Sequence, residues 1–85
     1  MEIKIDIPDY DIHTGLKCEW ENGFEIETKL EDGNFVLCAN RAGLISLAKH
    51  LLLLSQDQVP IGHHIHLDEF NSLGEKSVGI IIQKI

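Results

Sequence analysis

Hydrophobic and polar residues alternate with period two along much of the first half of the chain. Leu16, Cys18 and Trp20 interleave with Lys17, Glu19 and Glu21, and Phe24, Ile26, Thr28 and Leu30 interleave with Glu25, Glu27, Lys29 and Glu31. Patterning of this kind marks strands with one buried face. Asp32-Gly33 is a two-residue hairpin signal that pairs Leu30 with Phe35, Thr28 with Leu37 and Ile26 with Ala39, keeping all six on one face. For the preceding turn, a three-residue loop Glu21-Asn22-Gly23 with Gly23 left-handed sets Trp20 against Phe24 and Cys18 against Ile26. A two-residue loop would slip the register by one and turn charge toward the core, so the longer loop is preferred. It places Lys17 across from Glu27 and Glu19 across from Glu25. Ile3, Ile5 and Ile7 suggest a further strand, stopped by Pro8.

The period changes at residue 40. Asn40 is a suitable N-cap for a helix over residues 40–55. Leu44, Leu47, Ala48, Leu51 and Leu54 or Ser55 form its apolar stripe, widened by Ile45 and Leu52, and Arg41, Ser46, Lys49 and His50 form the wet side. Leu53 falls on the wet side. Pro60 and Gly62 close the connection, residues 63–68 alternate as a strand, and Ser77 to Ile85 form the last one. The predicted fold is α+β: one domain over residues 1–85, with a mainly antiparallel five- or six-stranded sheet and one helix on one face, in the order β-βββ-α-ββ. One helix cannot cover both sides of such a sheet. Val36, Cys38, Ile81 and Ile85 are placed on the uncovered side, where an apolar patch would point to dimerisation or partner binding.

Size and charge narrow the function. A chain of 85 residues buries only about 60–65% of its unfolded surface and needs most of its large apolar residues in one core. Its longest leucine run, Leu51–Leu54, is far short of a bilayer span. Residues 1–6 lack the basic and apolar regions of a signal peptide, so a cytoplasmic setting is expected. The net charge is −7, and residues 1–39 carry all of it, with ten acids against three lysines. Such a surface repels nucleic acid and acidic lipid, and it steers basic proteins toward itself. The simpler reading of the charge is solvation.

His63, His64 and His66 form the one cluster of chemically capable side chains. With Ile65 and Leu67 in the core, His64, His66 and Asp68 share the other face, and histidines two apart on a strand can chelate zinc. Only two ligands are certain to converge; a third would be Asp68 or the distant His13. His64-Ile65-His66-Leu67-Asp68 matches the His-x-His-x-Asp core of metallo-β-lactamase-type hydrolases, but Glu69 stands where a histidine is expected. Histidines with structural hydrogen bonds, or a pH-sensitive contact, outweigh the metal reading. Cys18 is expected toward the core and Cys38 on the opposite face, which disfavours a disulfide. No complete catalytic motif is present and no cofactor is expected.

Asn40-Arg41-Ala42-Gly43-Leu44, then Leu47-Ala48-x-x-Leu51-Leu52, then Gly62-His63-His64-Ile65-His66-Leu67-Asp68, resemble the immunity protein 32 family of bacterial polymorphic toxin systems. The closing Ser77-Val78-Gly79-Ile80-Ile81-Ile82 run is similar to that family's last strand. The resemblance implies a non-catalytic protein that binds and neutralises a cognate toxin, and the acidic half would suit a basic one. Glu19, Glu25, Glu27, Glu31, His64 and His66 are the expected partner-binding residues. The alternatives are a metal-binding protein or metal-dependent enzyme built on His64, His66 and Asp68, and a regulatory or structural homodimer.

Overall fold

The computed structural model describes residues 1–85. Regular structure begins at Ile26 and runs β1 (Ile26–Glu31), β2 (Asn34–Ala39), α1 (Arg41–Ser55), β3 (His64–Leu67) and β4 (Ile80–Gln83). The α+β class holds, but the expected five- or six-stranded sheet does not form. β1 pairs only with β2, and β3 only with β4, giving two antiparallel two-stranded sheets. The stretches at Ile3–Ile7 and Leu16–Glu21 are not strands, so the order is ββαββ in place of β-βββ-α-ββ.

The first hairpin has the register that its turn dictates. Asp32 and Gly33 both take left-handed backbone angles (φ 50° and 80°), and Ile26 pairs with Ala39, Thr28 with Leu37 and Leu30 with Phe35. Left-handed central residues match the twist of the flanking strands, which is why this dipeptide sets the register locally.

The edge of β1 that residues 16–21 were expected to occupy is filled by residues 74–78. Gly74 N–H donates to Ile26 C=O (2.9 Å), Val78 N–H to Thr28 C=O (3.2 Å), and Thr28 N–H to Ser77 Oγ (3.2 Å). The Thr28 hydroxyl donates to the Val78 carbonyl. Lys76 lies within this stretch at φ 65°, a left-handed kink that interrupts any regular ladder. The two sheets are therefore stapled together by an irregular segment and do not merge.

Residues 16–21 lie across α1 instead. Glu21 N–H donates to Ser46 Oγ (2.9 Å), and His50 Nε2 meets the Glu19 carbonyl at 3.1 Å. The expected turn survives without its ladder: Phe24 N–H donates to Glu21 C=O, Gly23 is left-handed, and Trp20 stacks on Phe24 with ring centroids 4.4 Å apart.

Asn40 caps α1 as expected, its Oδ1 accepting from Gly43 N–H at 2.8 Å. The same side chain accepts from Glu25 N–H and donates to Gly23 C=O, so the cap also fastens the turn before β1. The helix is rotated relative to its leucine stripe. Gly43, Ser46, His50, Leu53 and Leu54 are buried, while Leu44, Leu51 and Leu52 are exposed. Gly43 explains the rotation. A Cβ there would sit 2.6 Å from the Glu25 carbonyl oxygen and 2.9 Å from Ile26 Cγ1, so only glycine lets the helix approach β1 this closely. Ser46 and His50 tolerate burial because backbone groups of residues 19 and 21 receive them.

Ile26, Leu54, Val59, Ile65, Leu67 and Leu73 form the buried cluster, with Trp20, Phe24, Leu37, Leu47, Ile80 and Ile82 packed on it. Each buried aliphatic side chain is worth about 1.5–3 kcal/mol. Only 11 of 85 residues are buried, so polar staples such as Ser46, His50 and Thr28 carry a large share of the tertiary specificity.

Candidate functional site

Glu27, Lys29 and Glu31 project from the side of the first hairpin that faces away from the core, opposite Cys38, Val36 and Asn34. Glu25 precedes them and is exposed as well. Lys29 forms an ion pair with Glu31 at 3.2 Å, both more than half exposed, a geometry that contributes little in water. Glu25 and Glu27 have no basic side chain within ion-pair distance. Both line a shallow hollow of about 350 Å³ with Cys38, Ala39 and Asn40. A neighbouring hollow of about 220 Å³ sets Glu27 near Lys76 and Glu75. The hairpin thus presents carboxylates in excess of the cations beside them.

Glu19 is also exposed but belongs elsewhere. No ladder sets it opposite Glu25, because its segment crosses α1 and its carbonyl is held by His50. Of the four expected contact acids, the structure groups Glu25, Glu27 and Glu31 and leaves Glu19 apart.

His64 and His66 lie on the exposed face of β3, opposite Gln83 and Ile81, while the alternate residues Ile65 and Leu67 are buried. They share an open groove of about 310 Å³ with Leu16, Cys18, Trp20 and Asn71. Cys18 was expected toward the core; it is exposed because residues 16–21 do not join β1. Burial in the groove nonetheless pushes its thiol up from the ordinary value, which disfavours the nucleophilic thiolate. Cys38 is exposed on the outer side of the hairpin, as expected.

The metal alternative has no assembled ligand set. His66 Nε2 lies 3.7 Å from Asp68 Oδ2, and the other carboxylate oxygen of Asp68 accepts from Phe70 N–H (2.9 Å) and Asn71 N–H (3.1 Å). The aspartate organises the turn after β3, a common use of that side chain. His13 does not supply the third ligand: no three His, Cys, Asp or Glu side chains are placed to hold an ion.

The period-based reading missed the polar groups that face inward. His50 Nε2–H donates to Glu19 C=O, and its ring stands edge-on to Trp20 with centroids 4.2 Å apart. Nδ1 is buried without a partner, and burial, with Lys49 nearby, holds the pKa below the ordinary 6.5. Tyr10 is tied to the far side of the molecule, its hydroxyl 3.3 Å from His63 Nε2 and its N–H donating to Gln56 Oε1. None of these contacts has a signature at fixed spacing.

The model of immunity protein 32 matches residues 35–85, from the second residue of β2 through β4. The chain belongs to the immunity protein 32 family. Neither curated proteins nor solved structures yield a significant match. Within the immunity protein 32 match lie α1, both histidines of β3 and the stapling segment 74–78, whereas the acids Glu19, Glu25, Glu27 and Glu31 precede it. No helix is long and apolar enough to cross a membrane.

Proposed function

We propose that this immunity protein 32 member neutralises a cognate toxin by stoichiometric binding, without catalysis, in the cytoplasm of the cell that makes it. Family membership carries the reading. The acidic hairpin supports a toxin with a basic surface, since carboxylates in excess of their neighbouring cations attract one by long-range steering and complement it on contact. Glu25, Glu27 and Glu31 form the principal contact set, and Glu19, His64 and His66 extend it around the molecule. A basic nuclease suits the charge best, with the hairpin occupying the surface that would otherwise meet nucleic acid.

The test is to purify the protein with the toxic domain encoded beside its gene and to measure affinity and stoichiometry by calorimetry. A one-to-one complex is expected, with affinity falling roughly tenfold or more in the Glu25→Lys, Glu27→Lys double variant. Wild-type protein that neither binds nor silences that domain would defeat the reading.

A further inference from the structure

The two edges of the first hairpin are treated differently. The Glu25 carbonyl accepts from Asn40 N–H at 3.1 Å, which marks residues 25 and 40 as a hydrogen-bonded pair. Alternation along an antiparallel ladder then turns the backbone groups of Ile26, Thr28 and Leu30 outward on β1, and those of Ala39, Leu37 and Phe35 outward on β2. Residues 74–78 bond the Ile26 carbonyl and both backbone groups of Thr28 on β1. On β2 the outward groups meet nothing: β1 is its only strand neighbour, and no loop or side chain bonds to residues 35–39.

Natural edges are usually blunted by a charge, a proline or a bulge. Asn34-Phe35-Val36-Leu37-Cys38-Ala39 has none of these. The faces on either side of the edge differ in chemistry. On the core-side face the hairpin projects beyond the helix, leaving Phe35 47% and Leu30 69% exposed. On the other face stand Glu27, Lys29 and Glu31, one strand in from the edge, two carboxylates to one ammonium.

We infer that β2 accepts an added strand from the toxin, an extended segment in which apolar and basic side chains alternate. Its main chain would satisfy Phe35, Leu37 and Ala39. Its apolar residues would lie beside Phe35 and Leu30, and its basic residues would reach over Cys38 toward Glu27 and over Asn34 toward Glu31. Strand addition draws affinity from main-chain bonds and selectivity from alternate side chains. The identity of the partner rests on the toxin-binding reading above; the edge and its chemistry are tested separately.

The probes are two synthetic octapeptides, alternating Val-Lys and alternating Val-Glu, titrated at low salt into the labelled protein and followed by amide NMR. The Val-Lys peptide is expected to shift and protect the amides of Phe35, Leu37 and Ala39, and to bind roughly tenfold more tightly than Val-Glu. Phe35→Pro removes an outward N–H without taking a bond from the β1–β2 ladder, and should weaken binding by a similar factor. Cys38→Lys, able to pair with Glu27 across the hairpin, should do the same and serves if the proline variant misfolds. Equal affinity for both peptides, no shifts on β2, or shifts centred on Leu44, Leu51 and Leu52 would overturn the inference. So would a wild-type dimer that Phe35→Pro dissociates, since the edge would then be closed by a second copy. Peptide binding at β2 in a protein that forms no complex with the toxin domain would count against the toxin reading alone.

Discussion

Residues 16–21 and 26–31 carry the same alternation of apolar and charged side chains, yet only the second stretch is a strand. β1 is flanked by β2 on one edge and by residues 74–78 on the other, so its backbone is bonded from both sides at Ile26 and Thr28. Residues 16–21 find no strand edge. Their backbone is held by Ser46 and His50 reaching out of α1. Period two reports that one side of an extended segment is buried; it does not report what satisfies the main chain.

The sharpest way to separate the two regions is His50→Ala. The change removes a buried ring, its edge-on contact with Trp20 and its bond to Glu19, and should lower unfolding free energy by about 3 kcal/mol. Hydrogen exchange should show residues 16–21 losing protection while β1 keeps it, with a shift in the fluorescence of the single tryptophan. Equal loss in both stretches would mean that they form one cooperative unit.

The same ring gives a pH handle. Burial holds His50 below its ordinary value, so the unfolded chain takes up a proton near pH 6.5 while the folded one resists. The unfolded state then binds more protons, and stability falls as pH is lowered through about 6.5 toward the folded value. Denaturant titrations across this range should show the fall in wild type and a smaller one in His50→Gln.

Asn40→Ala strikes the junction between the regions. It removes the helix cap together with the bonds to Glu25 and Gly23, and a loss of about 2 kcal/mol is expected by thermal unfolding. Ser77→Ala acts on β1 alone. It leaves Thr28 N–H without its acceptor, for about 1 kcal/mol, and exchange at Thr28 should rise with little change at residues 16–21.

What could be read from sequence follows the same division. The β1–β2 register was legible because Asp32-Gly33 settles it within two residues. The cap at Asn40, the helix limits to within a residue, and the inward Ile65 and Leu67 of β3 were legible for similarly local reasons. The rotation of α1 was not. Counting leucines puts Leu44 and Leu51 inside, whereas the interior is set by Gly43 against Glu25 and by hydrogen bonds spanning 25 and 31 positions. The single sheet failed because Ser77 and Lys76 make an irregular staple that no period encodes. At the candidate site, the exposure of Glu19, Glu25, Glu27, Glu31, His64 and His66 agrees with their polar positions. The open edge beside them was hidden, since an uncharged strand reads equally well as a central one.

The missing carbon at Gly43 reaches beyond the interior. Because consecutive residues are spaced about 100° around a helix, whatever lets Gly43 nestle against β1 also decides that Leu44, Leu51 and Leu52 meet the outside world. Interior and exterior are geared together here. A lineage that swapped this glycine would repaint an outer panel of the molecule without altering a single residue on it.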